Sequence, residues 1–294
     1  QTLMQEAIAA GFFNIDVDTS TLVDLSQSTI PAQQKLNVGL SAKLSSYIRS
    51  IEPAGVTISV GGEIGEVGGH NSTEEELRAY LGGFKQELAE LKPGAVGLSK
   101  ISIQTGTSHG GVVLPDGSIA KVNVDFNTMR VLSDLSQKEY GLGGAVQHVA
   151  STLPESAFDK FPESHALEIH LATNFMNIFY DKIPAALRQE IYAYLDANHS
   201  SERKPDMTDE QFYYKTRKYG VGQFKKQSWQ LPEASKAEVV KAWEEQFDKL
   251  FHLLGLKDSR RYVEQTVKPV KVAPDLSFYL GATAEAEEVS DLAD

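Results

Sequence analysis

Residues 98–153 read LSKISIQTGTSHGGVVLPDGSIAKVNVDFNTMRVLSDLSQKEYGLGGAVQHVASTL, and the fold turns on how this stretch is read. Two short strand-like runs, ISIQT at 101–105 and AVQ at 145–147, each lead to a histidine, His109 and His148. Between them, residues 126–140 have the polar, periodic pattern of a connecting helix. Strand, helix and strand make a βαβ unit, whose parallel strands place their C-terminal ends on one side of the sheet. That topology brings two imidazoles together across a long separation in sequence. Gly106, Gly110, Gly111, Gly143 and Gly144 crowd both histidines, as expected where backbone approaches a ligand or takes positive φ. The stretch predicts a metal and phosphate site at the mouth of a parallel β/α structure.

Working outward, the same alternation continues in both directions. A helix-like start with Leu3, Met4, Ala7 and Ile8 on one face leads to a candidate strand at 12–17, whose end carries Asp16, Asp18, Thr19 and Ser20. Residues 37–51 predict an amphipathic helix and residues 56–60 the next strand. Ser72 or Thr73 caps a helix with Glu74, Glu75 and Glu76 in its first turn, where acids suit the helix dipole. That helix runs to about residue 91, and LEIHL at 167–171 predicts a further strand after the two-histidine unit. Five strands alternating with helices argue for a parallel α/β sheet or barrel. Five do not close an eight-stranded barrel, and the chain begins without methionine inside a helix-like segment, so upstream units are expected to be missing.

The character changes after residue 182. A helix is expected at 185–197, a polar linker at 198–208, an aromatic and basic segment at 209–219 and a long amphipathic helix at 235–254. The division expected is a β/α portion carrying the site at 1–182 and a helical C-terminal extension at 183–294, with a disordered acidic tail at 284–294.

Composition narrows the chemistry. The 294 residues, 41% hydrophobic and 23% charged, suffice for a large buried core. With no cysteine there is neither disulfide nor thiolate ligand, so a metal here must be held by histidine and carboxylate, which suits zinc or a similar divalent ion. A net charge of -12 argues against nucleic acid or an anionic membrane as partner. No apolar run reaches membrane-spanning length and no signal-peptide pattern is seen, which makes a cytoplasmic location the default expectation.

The strings IDVDTS, GGEIGEVGG, GTSHGG, VQHVASTLP and EIHLAT together resemble, in order and spacing, the class II, metal-dependent fructose-bisphosphate aldolase family. The resemblance covers roughly residues 5–178 and implies strands four to eight of a TIM (β/α)8 barrel. It implies a zinc-dependent aldolase that cleaves or forms a ketose bisphosphate, such as fructose bisphosphate from dihydroxyacetone phosphate and glyceraldehyde phosphate, through a metal-stabilised enediolate. The family's earlier His-x-Asp-His motif, with its proton-transferring aspartate and a further ligand, would precede Gln1.

Carried over residue by residue, the resemblance makes His109 and His148 metal ligands for Zn2+ or another divalent metal, and allows a monovalent cation beside it. A lone strand-end histidine is more often satisfied by a backbone hydrogen bond, but two in matching motifs favour ligation. Glu63 is the candidate catalytic carboxylate beside the metal, with a solvent-facing or helix-dipole role as the alternative. Gly110, Ser151 and Thr173 match phosphate-binding positions, where ordinary turn chemistry is the alternative, and His170 is a further substrate-binding candidate. Asp18 and Ser20 match a structural strand-end pair.

The pattern also departs from the family. Val149-Ala150-Ser151-Thr152 stands for the usual Gly-Gly-Ser-Gly, His170 stands for an asparagine, and His70-Asn71 occupies a loop that often carries acidic residues. These changes point to a divergent subgroup or another sugar phosphate, such as tagatose bisphosphate. A non-catalytic barrel kept for assembly is the reading from another class, motivated by the aromatic tail. A phosphorylated sugar and a second copy of the chain, as dimer or higher homo-oligomer, are the partners expected.

Overall fold

A computed structural model of the chain describes residues 1–65, 70–106, 114, 124–148 and 153–268. The first part alternates helix and strand: α1 (Thr2–Ala9), β1 (Asn14–Val17), α2 (Ile30–Ile51), β2 (Ser59–Glu63), α3 (Glu74–Leu91), β3 (Lys100–Ser102), α4 (Phe126–Tyr140), β4 (Ala145–Gln147), a single-turn α5 (Lys160–Glu163) and β5 (Ala166–Ile169). All five strands are parallel and lie in one sheet in chain order, β1-β2-β3-β4-β5. The tail at 284–294 lies outside the described residues.

Local chemistry sets the helix ends. Thr73, not Ser72, is the N-cap of α3: its hydroxyl accepts from Glu76 N while the Glu76 carboxylate accepts from Thr73 N at 2.7 Å. Ser72 is used elsewhere, its hydroxyl accepting from Gln104 N at 2.9 Å beyond the end of β3. Asp125 caps α4 by accepting from Asn127 N and Thr128 N, and Gly141, at φ 71°, ends it in the left-handed region.

β2 lies three residues later than the apolar run at 56–60 suggests. The reason is steric. Gly61 pairs with Asp16 on one side and Lys100 on the other, and a Cβ there would collide with the Asp16 carboxylate and lie 2.8 Å from Lys100 Cε. At Gly62 a Cβ would meet Tyr80 Oη and Leu98 Cδ1. The sheet needs these glycines where strand propensity disfavours them.

Strand alternation separates two faces. Val17, Val60, Ile101, Ile103 and Ala145 pack with Val38 and Ala42 of α2, Leu77, Tyr80 and Phe84 of α3, and Met129 and Leu132 of α4 in one buried cluster. The opposite face carries Asn14, Asp16, Lys100 and Glu168, joined by hydrogen bonds and ion pairs centred on Lys100. On the helix side, Arg49 of α2 is buried and donates to the carbonyls of Ile58, Val96 and Gly97 and to Glu52, tying the starts of β2 and β3 to one helix.

Helices follow: α6 (Thr173–Lys182), α7 (Ala185–His199), α8 (Asp209–Thr216), α9 (Lys218–Gln223), α10 (Lys225–Trp229), α11 (Glu233–Leu253) and α12 (Arg260–Thr266). The expected linker at 198–208 is shorter in practice: a 3-10 turn occupies Ser200–Glu202, and Thr208 caps α8 in a second capping box with Gln211. Tyr180, Ile191, Leu195, Phe212 and Val239 form a separate core. Leu250 of α11 packs with Leu153, Phe158 and Phe161, and Trp243 Nε1 donates to Phe175 O at 3.0 Å, so α11 anchors these helices beside β5.

Two substitutions rank these devices. Thr73→Ala removes one cap and is expected to lower stability by about 1 kcal/mol. Arg49→Met leaves three carbonyls and Glu52 without their buried donor and is expected to lower it by about 3 kcal/mol. Urea unfolding midpoints check the order; equal losses would contradict the tie assigned to Arg49.

Candidate metal centre

NIDV, KISI and EIHL share a feature: polar residues alternate with apolar ones inside parallel strands. Parallel strands covered by helices on both faces are apolar throughout, so this alternation marks a polar face. Its centre is Lys100 on β3, 1% exposed. Its ammonium donates to Asn14 Oδ1 at 2.6 Å and to Glu168 Oε2 at 2.5 Å, and lies 3.0 Å from Asp16 Oδ1. Two hydrogen bonds and an ion pair surround the buried ammonium. Gly61, between Asp16 and Lys100, leaves the space this array fills.

Two histidines stand just beyond, at the C-terminal ends of β4 and β5. His170 Nε2 meets Glu168 Oε2 at 2.9 Å, and its Nδ1 lies 3.4 Å from Asp16 Oδ2. The His148 ring stacks on it with centroids 4.8 Å apart and an interplanar angle of 26°. His148 Nε2 is 3.0 Å from Ser102 Oγ, and its Nδ1 is 3.3 Å from Glu63 Oε2. Glu63 is itself fixed from behind: Asn37 Nδ2 donates to the Glu63 carbonyl at 2.9 Å, and Gln34 Nε2 donates to the Ile64 carbonyl at 2.9 Å. Asn37 in turn accepts from Thr19 Oγ1 at 2.6 Å, so α2 clamps the ends of β1 and β2 together.

The electrostatics follow from these contacts. The hydrogen bond with His170, followed by that with Lys100, pushes the Glu168 carboxyl down to about 2 against the opposing effect of burial. The hydrogen bond with Glu63 raises His148 above its ordinary 6.5, again against burial, with Asp16 and Asp18 contributing. Asp16, His148 and His170 each offer a ligand atom, and these atoms lie within 4.8 Å of one another. Asp16, Glu63 and Glu168 against Lys100 leave two formal negative charges uncompensated, the amount one divalent cation supplies. The donor set, imidazole and carboxylate, is the one zinc and its neighbours accept.

Of the residues singled out from sequence, the structure brings His148, Glu63 and His170 together. Thr173 is the first residue of α6, four positions after β5 ends. His109, Gly110 and Ser151 lie outside the described residues, so the expected pairing of His109 with His148 does as well. His170, expected among the substrate contacts, is placed against His148 and two carboxylates. Asn14, Lys100 and Glu168 were not anticipated as site residues, and Asp16 was noted only as a strand-end acid. The signal that could have found them is the polar residue at every second strand position.

Among the described residues, no helix is long and apolar enough to cross a membrane. No family model matches the chain, and no curated protein matches it. Solved structures do. The chain is similar to a fructuronate-tagaturonate epimerase from Cohnella laeviribosi, at 12% identity and TM-score 0.54 over 87% of this chain and 66% of that one. It is also similar to a protein described as a probable tagatose 6 phosphate kinase from Sinorhizobium meliloti, at 14% identity and TM-score 0.51 over 89% and 66%. A fructose-bisphosphate aldolase from Campylobacter jejuni matches at 14% identity and TM-score 0.43 over 81% and 60%. At such identities the first two likenesses establish a shared fold, an α/β arrangement around a parallel sheet. The chain spans just under two thirds of the length of those two structures.

The two shifted groups give the site opposite pH limits. Glu168, depressed, stabilises the fold above its ordinary 4.5, and that contribution is lost as pH falls toward 2. His148, raised, stabilises it below 6.5, and that contribution is lost as pH climbs through its raised value. With EDTA present, the stability gap between the wild type and Glu63→Gln is expected to be widest below about pH 6 and to close toward pH 9. The gap to Glu168→Gln is expected to hold above about pH 5 and to close on acidification. Urea titrations across pH measure both; gaps independent of pH would contradict the pairings.

Proposed function

We propose that this chain is the later part of a (β/α)8-barrel lyase that cleaves or forms a phosphorylated ketose with the help of a divalent metal, zinc by preference. The observation that carries the reading is the convergence of Asp16, His148 and His170 from the ends of β1, β4 and β5. Functional groups of parallel β/α barrels gather at that end of the strands. The order of the strings IDVDTS, GGEIGEVGG, GTSHGG, VQHVASTLP and EIHLAT supports the aldolase assignment, and the fold likeness is in keeping with a β/α barrel.

His148, together with His109, would hold the ion, and a divalent cation bound there would supply Lewis-acid stabilisation of negative charge developing on a substrate oxygen. Glu63 orients His148 through Nδ1 and is the carboxylate nearest that imidazole, placed to accept or return a proton. Thr173, at the N-terminus of α6, together with Gly110 and Ser151, would receive the phosphate on backbone N–H groups and hydroxyls. The substrate proposed is fructose bisphosphate. Tagatose bisphosphate is the second reading, favoured by His170 in place of asparagine and by Val149-Ala150 in place of two glycines.

Aldol cleavage of both sugars, with metal content measured in parallel, tests the assignment. The wild type is expected to hold one divalent ion per chain and to cleave one sugar faster. His109→Ala and His148→Ala are each expected to lose the metal and to lower cleavage by at least a hundredfold. Stoichiometric metal in both variants would reject the assignment. A metal-free wild type indifferent to EDTA would favour a non-catalytic scaffold.

A further inference from the structure

Lys100 is buried in the sheet, and no step above uses it. Its Nζ donates to Asn14 and Glu168 and pairs with Asp16, so the group is enclosed by its partners. What it controls is the direction of its neighbours. Asp16 turns Oδ1 to Lys100, which leaves Oδ2 facing His170. Glu168 turns Oε2 to Lys100 and accepts with the same atom from His170 Nε2, at 2.9 Å.

A neutral imidazole that donates through Nε2 carries its lone pair on Nδ1. In His170 that lone pair faces Asp16 Oδ2 at 3.4 Å. Two acceptors facing one another need something positive between them. A charge-assisted N–H···O bond would close to about 2.7–2.9 Å. Ligand atoms about 2.1 Å from a tetrahedral zinc ion stand about 3.4 Å apart. The observed separation matches an edge of a coordination tetrahedron and is too long for a charge-assisted hydrogen bond. The stacked His148 ring adds a further donor next to that edge.

We propose that His170, through Nδ1, and Asp16, through Oδ2, are metal ligands beside His148, and that Lys100 is the positioning residue that holds both in place, His170 by way of Glu168. This rests on the metal-site reading above and reassigns His170 from the sugar phosphate to the ion. The arrangement repeats the pattern in which a ligating histidine gives its other ring nitrogen to a carboxylate, with Glu63 serving His148 and Glu168 serving His170. Lys100 adds a third layer that fixes the second.

The test is zinc binding followed by chelator competition and by 15N NMR of histidine-labelled protein. In the wild type, Zn2+ is expected to move both His148 and His170 resonances, with His170 metallated at Nδ1 and protonated at Nε2. His170→Gln is expected to weaken binding by at least a hundredfold, and Glu168→Gln and Lys100→Met by about 10–100-fold, with His170 losing its single tautomer in the last two. Glu168→Gln keeps the volume of a half-exposed side chain and carries the test should Lys100→Met fail to fold. Zinc that moves His148 but leaves His170 unchanged would overturn the proposal while sparing the metal site. Affinities within twofold of wild type in both Glu168→Gln and Lys100→Met would overturn the positioning role. A wild type that takes up no zinc would overturn the metal-site reading itself.

Discussion

A single ammonium group organises the polar side of this sheet. Lys100 is enclosed between β1 and β5, and a charge removed from water to that degree is tolerated only when its partners are close and complete. Those partners come from β1 and β5, each two strands away in the sheet, and Asn14 and Glu168 stand 86 and 68 positions away in sequence. The ion array therefore constrains the register of the whole sheet. Gly61 must lack a side chain, Asn14 and Asp16 must face the same way, and Glu168 must reach back across β4. The apolar face packed on α2, α3 and α4 supplies most of the burial, while the array on the other face sets the alignment.

The same contacts prepare the site. Asp16 and Glu168 are held by Lys100 on one side and meet His170 on the other, and His170 stacks on His148. Glu63 meets His148 from β2, whose end is clamped by Asn37 and Gln34. Two carboxylate–histidine pairs thus converge on rigid strand ends, where little rearrangement is needed to accept a cation. The excess of negative charge gives such a cation a reason to bind.

How much of this could be read beforehand depended on the range of the interaction. The helix at 126–140 and the strand at 145–147 have the bounds expected, because caps such as Asp125 and Gly141 and local apolar patterning act over a few residues. The α/β alternation and the parallel order were legible for the same reason. β2 was placed too early because Gly61 and Gly62 look like strand breakers until the neighbours that need their space are known. The Glu63–His148 proximity was legible through family-like strings. Lys100 and Glu168 were not, since an isolated charge in a strand looks like a solvent-facing residue until the register pairs it with partners far along the chain. The stacking of His148 on His170 depends on that register too, and no spacing in the sequence encodes it.

The most direct test is a crystal of the protein grown with zinc, with anomalous differences measured at the zinc absorption edge. The account predicts one strong peak enclosed by Asp16, His148 and His170, within coordination distance of both imidazoles. A protein whose only zinc lies elsewhere, with Lys100, Glu168 and His170 undisturbed, would contradict it.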